Sequence, residues 1–503
     1  MGEGKLSDPV RQSMVAVYLS TIAPSALAFI FWIIVGNISG PGTIGVITAV
    51  GAFSVLIAVF GHLDVPVGAR TFLGKAFAEK DWPKFKNITS AAAVFTTFTL
   101  SLVLVITLNP FLDILDIIGI DKQFIPILII ITFGNNLINI FSGVLTSALK
   151  SKKIFIPYTL GGISRFVVLF IALYFFGSSD INTGWAFSAS FALSGLMLLF
   201  ITTNFLRGKP GKFFGDFSQN VKLVVKGSIA RWIPQIVTVI GMQLSILSVF
   251  ALKGASEGGL FYVSFSIFNL LLMISRAIIT VSHPVMSGME QISKQERFFS
   301  KSLRFSFLVT LPLAAVMFFY AEPILSVFGK EFSLSENTLS LLMASFPFVI
   351  ITEAFIFLIF ARRDFHKLFY LGLSSSITKV ILYFILVPEY GTLGAAGALL
   401  IGTLTQMVLT IIIAKHIKVK IQYKIFIFIS TIPFAVGYSI QLLNTHDVIG
   451  AIAIFTISYI IYAKIKLIVE QDIESAFRSI TGENKAKQYA NSIVINLKKL
   501  HIM

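Results

Sequence analysis

Cysteine is absent from the 503 residues of this sequence, and charged residues make up only 13% of it. The absence of cysteine excludes disulfide bonds and thiolate-bound metal sites. The scarcity of charge excludes an ordinary soluble protein, in which about 25% of residues are charged. Hydrophobic residues instead make up 56% of the chain, and the mean hydropathy is +0.87. The composition therefore predicts a membrane protein.

Two sequence motifs of enzymes are also missing. The chain contains no Walker A sequence, which argues against ATP as a direct energy source, and no Asp-x-Asp pair that would hold a metal ion. A membrane glycosyltransferase or polysaccharide polymerase would need such acids on a sizeable loop. Asp113, Asp116 and Asp121 cluster on a short loop, where a solvated face explains them more simply. We therefore expect neither an enzyme nor a cofactor, and such an enzyme is kept as a second alternative.

Long hydrophobic runs divide the chain into about fourteen segments, each long enough to cross a ~30 Å hydrocarbon core as a helix. The sequence thus predicts an all-α polytopic membrane protein. No soluble domain fits between the segments, because the longest gaps, at 62–87 and 206–227, are short. The predicted spans are 14–36, 43–61, 88–108, 124–147, 154–176, 184–205, 228–251, 258–282, 303–320, 337–360, 367–387, 392–414, 425–442 and 448–467.

The distribution of Lys and Arg predicts the orientation of these spans. All but seven of the 40 basic residues fall on alternate segments that begin with the N-terminus, as cytoplasmic loops require. Three lie on the opposite side, and four lie inside spans. We therefore expect both termini to be cytoplasmic and the protein to lie in the cell membrane. The net charge of +16 reflects this orientation and attraction to anionic lipids, so nucleic-acid binding is not needed to explain it.

An internal repeat divides the chain into two similar parts. Gly40 and Gly45, in the turn after the first span, match Gly254 and Gly259 at one constant difference in residue number, which we call the repeat offset. The loops that open at Pro110 and Pro323 agree with this offset to within one position. A unit with an even number of spans repeats with the same topology, so the relating axis runs along the membrane normal. The predicted organisation is a cytoplasmic segment at 1–13, an N-lobe at 14–205, a cytoplasmic linker at 206–227, a C-lobe at 228–414, two further helices at 425–467 and a cytoplasmic amphipathic tail at 468–503.

The repeat places a cation at the same position of each part, because Arg165 and Lys379 are separated by the repeat offset. Each lies 11–12 residues into its span, which is about 16–18 Å and close to the midplane. A charge at that depth costs from ~3 to more than 10 kcal/mol if it faces lipid, so both are expected to face the interior. One explanation is a structural pin that binds carbonyls or a carboxylate. The other is a cavity for an anionic substrate, in which the planar fork of Arg suits phosphate.

Two further cations and one acid fall inside spans. Arg231 and Arg276 lie near span ends, where either could extend to the interface or contact the same anion. Glu353 is the only acidic residue deep in a span, and it cannot neutralise all four cations. It is expected either to pair with Arg362, Arg363 or a cavity cation, or to exchange a coupling proton. Amides within spans are candidates for sugar contacts, although bonding between helices is their more common use. They are Asn135, Asn136, Asn139, Gln243, Asn269 and Gln406.

Several segments together resemble one family of transporters. The sequence GGLFYVSFSIFNLLLMISRAIITVSHPVMSGM resembles the seventh-to-eighth helix region of polysaccharide transporters in the multidrug/oligosaccharidyl-lipid/polysaccharide exporter superfamily. The sequences AEPILSVFGKEF and LVPEYGTLGAAGALLIGTL resemble that family's loop between helices 9 and 10 and its turn into helix 12. GHLDVPVGARTFLG, at the end of helix 2, is a looser match. The resemblance covers most of the chain through helix 12.

The resemblance implies two six-helix lobes related by a pseudo-twofold axis, with two extra C-terminal helices. It also implies a flippase that moves a polyprenyl-(di)phosphate-linked oligosaccharide or polysaccharide repeat unit to the outer leaflet by alternating access. Family members bind the carrier phosphate with basic residues, a role that transfers here to Arg165 and Lys379 and then to Arg231 and Arg276. The first span departs from members that place an Arg there. The expected partners are the lipid-linked glycan and membrane lipids, with a monomer favoured.

A cation-coupled multidrug or small-molecule antiporter of the same fold is the main alternative. Such an antiporter would need carboxylates in its cavity, whereas the spans of this chain hold an excess of cations. The sequence therefore favours the flippase.

Overall fold

The computed structural model describes residues 8–287, 291–362, 364–419, 423–443, 445–465 and 467. This described part is almost entirely helical and contains no strand. The predicted amphipathic tail at 468–503 lies outside the described residues, as do residues 1–7 of the predicted N-terminal segment. The predicted all-α class is confirmed.

Fifteen α-helices occur in the described part of the chain, together with 3₁₀ helices at Lys122–Phe124 and Lys330–Ser335. The α-helices are α1 Asp8–Gly61, α2 Val65–Ala78, α3 Trp82–Thr107, α4 Ile114–Ile118, α5 Ile125–Ser147, α6 Lys152–Phe176, α7 Asp180–Arg207, α8 Phe217–Lys253, α9 Ala255–Ser287, α10 Ile292–Phe319, α11 Ala321–Ser326, α12 Glu336–Ala361, α13 Phe365–His416, α14 Tyr423–Gln441 and α15 Asp447–Lys464.

Eleven helices of the described ranges are long and apolar enough to cross a membrane. Two of them are helix pairs, because α1 has 54 residues with non-helical dihedrals at Gly40 and α13 has 52 residues with non-helical dihedrals at Gly391. The 19 residues of α14 span about 29 Å, which also suffices for a crossing. Counting each half of α1 and α13 and including α14 gives the fourteen spans that the hydropathy predicts.

The backbone confirms the internal repeat. Gly40 has φ 74° and ψ −177°, and its counterpart Gly254 has φ 90° and ψ 178°. Gly177, with φ 76° and ψ −179°, precedes the bend at Gly391 by the same repeat offset. The conformation of the first three is essentially restricted to glycine. The 3₁₀ helices extend the match, because each follows a short helix, α4 or α11, in the corresponding connection.

Helix α2 lies where the hydropathy predicts only a loop, at 62–87. Val65, Ala69, Leu73 and Ala76 recur at helical spacing and are buried in one hydrophobic cluster. The intervening Arg70 and Lys75 keep the mean hydropathy of this segment too low for a span. The predicted linker at 206–227 also contains the first turns of α8, which begins at Phe217.

The chain divides into two compact units. The first comprises Met1–Tyr262, Val327–Phe332 and Lys379–Ala395, and therefore contains α1 to α8, the first residues of α9 and part of α13. The second comprises Val263–Ser326, Ser333–Thr378 and Ala396–Met503. The lobe boundaries derived from the repeat, 14–205 and 228–414, stay predictions.

Candidate functional site

Arg165 lies on α6 in the interior of the first unit, with only 7% of its surface exposed. One turn earlier on α6, Gly161 lets α6 and α7 approach closely, because a Cβ atom there would lie 1.9 Å from Ser194 Oγ. The guanidinium carbon lies 5.4 Å from the ring centroid of Phe31 and 5.6 Å from that of Phe187. Nη2 donates a hydrogen bond to Ser190 Oγ at 2.9 Å. The cation is thus held between aromatic faces and a single hydroxyl.

Two nitrogens of this guanidinium are left without a partner. Arg165 Nε and Nη1 are buried and make no hydrogen bond to any residue that the structure describes. No carboxylate of the described residues forms an ion pair with Arg165. An isolated buried cation with unused donors is unfavourable, and buried cations are normally paired. The arrangement therefore has the donors and the charge to receive an anion.

Aromatic side chains enclose Arg165. Trp32 contacts Phe187 and Tyr262, with centroid distances of 5.2 and 5.5 Å, and Phe31 lies 6.0 Å from Phe166. Tyr262 belongs to α9, in the second repeat, and the other rings belong to α1, α6 and α7. The enclosure thus joins helices from both repeats within the first unit.

Lys379, the repeat counterpart of Arg165, lies in the first half of α13 and is half-buried. It belongs to the same compact unit as Arg165. Its contact with a substrate headgroup stays a prediction.

Arg231 forms an ion pair that the sequence analysis did not anticipate. Its Nε lies 3.3 Å from Oδ2 of Asp64, whose side chain is 4% exposed. Asp64 stands just before α2 in the left-handed conformation, with φ 55°. Burial raises the pKa of Asp64, and the positive charges of Arg231 and Arg70 oppose that increase.

Arg276 forms a bidentate ion pair with Glu353 in the second unit. Nη2 lies 2.8 Å from Glu353 Oε1, and Nε donates to Oε2 at 3.2 Å. Arg362 pairs instead with Glu296, at 3.3 Å, and Arg363 lies outside the described residues. The partner of Glu353 is therefore a cation inside a span.

The six candidate amides differ in their environments. Asn139 donates to Asn135 Oδ1 at 3.2 Å, and Asn269 donates to the carbonyl of Phe265 within its own helix. Gln406 donates at 3.2 Å to the carbonyl of Leu371, which joins the two halves of α13. Gln243 is half-buried.

Asn136 is 1% exposed, and neither of its side-chain polar atoms has a hydrogen-bond partner among the described residues. The contact of any of the six amides with sugar stays a prediction.

A reciprocal contact joins the second half of α1 to α9. A Cβ atom on Gly45 would lie 1.8 Å from the carbonyl oxygen of Ala255, and a Cβ atom on Gly259 would lie 1.9 Å from that of Pro41. Pro41 and Ala255 are also separated by the repeat offset, so each repeat offers the same glycine and the same carbonyl. The two helices meet backbone to backbone, as an interface around a local twofold axis requires. The contact lies at the end of the first unit that we predict to be external.

Comparison with known proteins shows which fold this is. No protein-family profile and no curated protein matches the sequence. The solved structure of the lipid II flippase MurJ, in an inward closed conformation, matches with a TM-score of 0.71 and 16% identity, over 91% of this chain and 100% of that one. A multidrug resistance MATE family transporter of the MOP superfamily, in an inward-facing conformation, matches with a TM-score of 0.62 and 15% identity, over 80% and 97%.

A third match is a MOP superfamily transporter from Pyrococcus furiosus Vc1, described as having a binding pocket of reverse polarity. It has a TM-score of 0.51 and 16% identity, over 81% of this chain and 92% of that one. This chain has the fold of the MOP superfamily, the multidrug/oligosaccharidyl-lipid/polysaccharide exporters. The structural neighbours are transporters, and the chain is a multi-pass membrane protein. At these identities the likeness concerns the MOP fold, and the substrate has to be inferred from the site.

Within this MOP fold, the described cations differ in how they are neutralised. Arg231 and Arg276 each have a carboxylate partner, whereas Arg165 has aromatic rings and one hydroxyl. Sequence reasoning identified Arg165 from its depth in a span. It missed Asp64, Arg70 and the aromatic enclosure, because phenylalanine is abundant throughout the chain and Asp64 lies outside every span.

The Arg276–Glu353 pair of this MOP fold yields a direct test. Glu353→Gln leaves Arg276 without its carboxylate and is expected to lower the melting temperature, whereas the double variant Glu353→Gln/Arg276→Gln should recover most of the loss. The side chains are 23% and 38% exposed, so a coupling of about 1 kcal/mol is expected. Thermal melts of the wild type, the two single variants and the double variant measure this coupling, and additive losses would contradict the pairing.

The Glu353→Gln variant also tests whether Glu353 exchanges a coupling proton. An unchanged dependence of transport on a pH gradient in this variant would exclude that role.

Proposed function

We propose that this protein is a flippase that moves a polyprenyl-(di)phosphate-linked oligosaccharide or polysaccharide repeat unit from the cytoplasmic to the outer leaflet of the cell membrane. Arg165 is the observation that carries the proposal. Its Nε and Nη1 groups are buried donors without a partner among the described residues. A phosphate group supplies both the negative charge and the acceptor oxygens that these donors lack.

The surroundings of Arg165 suit the transport of a lipid-linked glycan. The phosphate and the sugar hydroxyls cannot cross hydrocarbon unaided, because each would lose its hydration. The isoprenoid tail needs no passage and stays in the bilayer throughout. The protein therefore needs an interior that offers charge to the headgroup and opens to one side at a time. Arg165 supplies the charge, and the backbone contact between Gly45 and Ala255 lies where we expect the external end to open and close.

A cation-coupled antiporter is the competing function, and the fold alone supports it equally. An antiporter that carries organic cations needs a carboxylate free to bind them. Asp64 and Glu353 each lie against a predicted cavity cation, and they are already paired with Arg231 and Arg276. Arg165, by contrast, is a predicted headgroup cation with two buried donors that have no hydrogen-bond partner among the described residues. This balance of charge favours an anionic substrate.

Flipping of a defined substrate tests the proposal. The purified protein is reconstituted in liposomes with a fluorescent undecaprenyl-diphosphate disaccharide, and a membrane-impermeant quencher reports its transfer between leaflets. We expect transfer well above that of protein-free liposomes, and a mass spectrum of copurified lipids should contain a polyprenyl-phosphate glycan. Absence of transfer combined with efflux of a cationic dye would replace the flippase by the antiporter.

A further inference from the structure

A second group of charged residues lies at the end of the first unit that we predict to be cytoplasmic. It comprises Asp64, Arg70, Tyr158 and Arg231, and we call it the cytoplasmic cluster. Asp64 and Arg70 belong to the start and middle of α2, Tyr158 to α6 and Arg231 to α8. The sequence predicts Arg231 as a secondary headgroup contact, and the function proposed above assigns no substrate contact to the other three.

The cytoplasmic cluster has more positive than negative charge. Arg231 Nε lies 3.3 Å from Asp64 Oδ2, and Arg70 is close enough for its charge to lower the pKa of the same carboxyl. His62 adds no charge near neutral pH, because burial lowers its pKa to about 4. Arginine stays protonated at any physiological pH. Two guanidinium groups therefore share one carboxylate.

The two guanidinium groups are not saturated by this carboxylate. Arg70 Nε is buried and has no hydrogen-bond partner among the described residues. It packs closely against Gly143 of α5, where a Cβ atom would lie 2.9 Å from it. Tyr158 lies near Arg70 and is hydrogen-bonded to Ser142. The cytoplasmic cluster thus retains an unused hydrogen-bond donor, Arg70 Nε, and a net positive charge.

The same ion pair fastens α2 to α8. The helices are in close contact, since a Cβ atom on Gly68 would lie 2.1 Å from Ser228 Oγ and one on Gly227 would lie 2.5 Å from the ring of Phe72. Helix α2 follows the second span of the first repeat, and α8 is the first span of the second repeat. The ion pair between Asp64 and Arg231 therefore links the two repeats at this end of the first unit.

We propose that Arg70 and Arg231 form a second docking site for the phosphate of a lipid carrier, with Asp64 as a counterion that the phosphate displaces. The proposal rests on the flippase function and adds a site to it. An incoming phosphate takes the place of the carboxylate on Arg231 and accepts the unused donor of Arg70. Displacement of Asp64 breaks the ion pair that links the start of α2 to α8.

Binding of undecaprenyl phosphate to the full chain in lipid nanodiscs tests the site. All variants carry Arg165→Gln, so that the midplane contact does not mask the result. We expect Asp64→Asn to bind about tenfold more tightly, because the competing charge is gone, and Arg70→Gln to bind about tenfold more weakly. Asn also tolerates the left-handed conformation of Asp64. Lys75→Gln is the matched control on α2, since Lys75 is exposed and forms an ion pair with no described residue except Glu79.

The direction in which Asp64→Asn changes the affinity for undecaprenyl phosphate distinguishes a docking site from a purely structural role. If Asp64 only holds the fold, Asp64→Asn lowers the melting temperature and does not tighten binding, which would overturn the proposal. Retained affinity in Arg70→Gln would overturn it as well. If the wild type binds undecaprenyl phosphate but every Arg165→Gln variant binds none, the second site is wrong and the flippase function stands. If the wild type binds none, the function itself fails.

Two competitors identify the source of the phosphate. Inorganic phosphate lacks the isoprenoid tail and is expected to compete only at much higher concentration. Competition at equal concentration would assign the site to free phosphate and overturn its role in lipid docking. Phosphatidylglycerol in the nanodisc should not displace the ligand, and displacement would reduce the cluster to a general contact with anionic lipid.

Discussion

Replacing Gly45 with alanine is expected to lower transport about 5- to 150-fold while leaving the protein folded. The added Cβ atom would lie 1.8 Å from the backbone carbonyl oxygen of Ala255. No change of rotamer relieves a clash between a Cβ atom and a backbone atom, so the second half of α1 and α9 have to separate. Overpacking of this kind costs about 1–3 kcal/mol, which reduces the population of the closed arrangement by about 5- to 150-fold.

Three comparisons make this experiment specific. Gly42→Ala is the matched control, because Gly42 lies in the same turn and a Cβ atom there meets nothing within 4 Å. Gly259→Ala should reproduce the defect, because it forms the reciprocal contact with Pro41. The double variant Gly45→Ala/Gly259→Ala should be little worse than either single variant, since both substitutions open the same crossing.

The distance between the two helices can be measured directly. Spin labels at Ile38 and Ser256, which are exposed and flank the crossing, should report a longer distance in Gly45→Ala than in the wild type. Gly42→Ala should leave the distance unchanged. Wild-type transport and an unchanged distance in Gly45→Ala would show that the crossing does not take part in the transport cycle.

The features predictable from sequence are those that depend on local composition. Hydropathy gives the span count, because each span must cover the same apolar thickness. The glycines at 40 and 254 reveal the repeat, because their backbone conformation excludes other residues and is required twice. The depth of Arg165 in its span predicts burial, since the energy of a charge depends on its distance from water.

Contacts between distant segments were not predictable in this way. The sequence reasoning treated Arg231 as a cation without a nearby acid, because its charge count considered only acids inside spans. Asp64 lies outside every predicted span and far from Arg231 along the chain, and α2 brings the two together. For Glu353 the sequence predicts Arg362, Arg363 or a cavity cation as the partner, and the contact between α9 and α12 selects the cavity cation Arg276.

Removing the charge of Arg165 is expected to weaken substrate binding without weakening the fold. Each charge-assisted contact to phosphate contributes about 1–3 kcal/mol, so Arg165→Gln should lower the affinity for a polyprenyl-phosphate-linked sugar about 5- to 150-fold. Lys379→Gln should have an effect of the same size if the two residues bind one phosphate group. Lys153→Gln is a matched control on α6, because it removes an exposed cation that lies 5.6 Å from the Phe205 ring.

The melting temperature distinguishes a binding residue from a structural pin. If Arg165 were a structural pin, its removal would leave a buried acceptor without its hydrogen-bond donor. Breaking such a buried contact is strongly destabilising. The only acceptor that Arg165 uses among the described residues is Ser190 Oγ, and that hydroxyl keeps its own hydrogen bond to the carbonyl of Phe187 at 2.8 Å. The loss of two cation–π contacts is offset by removal of the unpaired Nε and Nη1 groups. Arg165→Gln should therefore melt within a few degrees of the wild type.

Substitutions that preserve the positive charge test whether the planar guanidinium of Arg165 is needed for binding. Arg165→Lys keeps the cation but loses the planar fork, so it should retain only part of the affinity, whereas Lys379→Arg should bind normally. Binding to purified variants and thermal melts of the same samples provide both readouts. Normal affinity in both Arg165→Gln and Lys379→Gln would falsify the binding of one phosphate group by these two residues. A fall in melting temperature with unchanged affinity would instead identify Arg165 as a structural pin, because only a residue that touches the substrate alters binding while the fold stays equally stable.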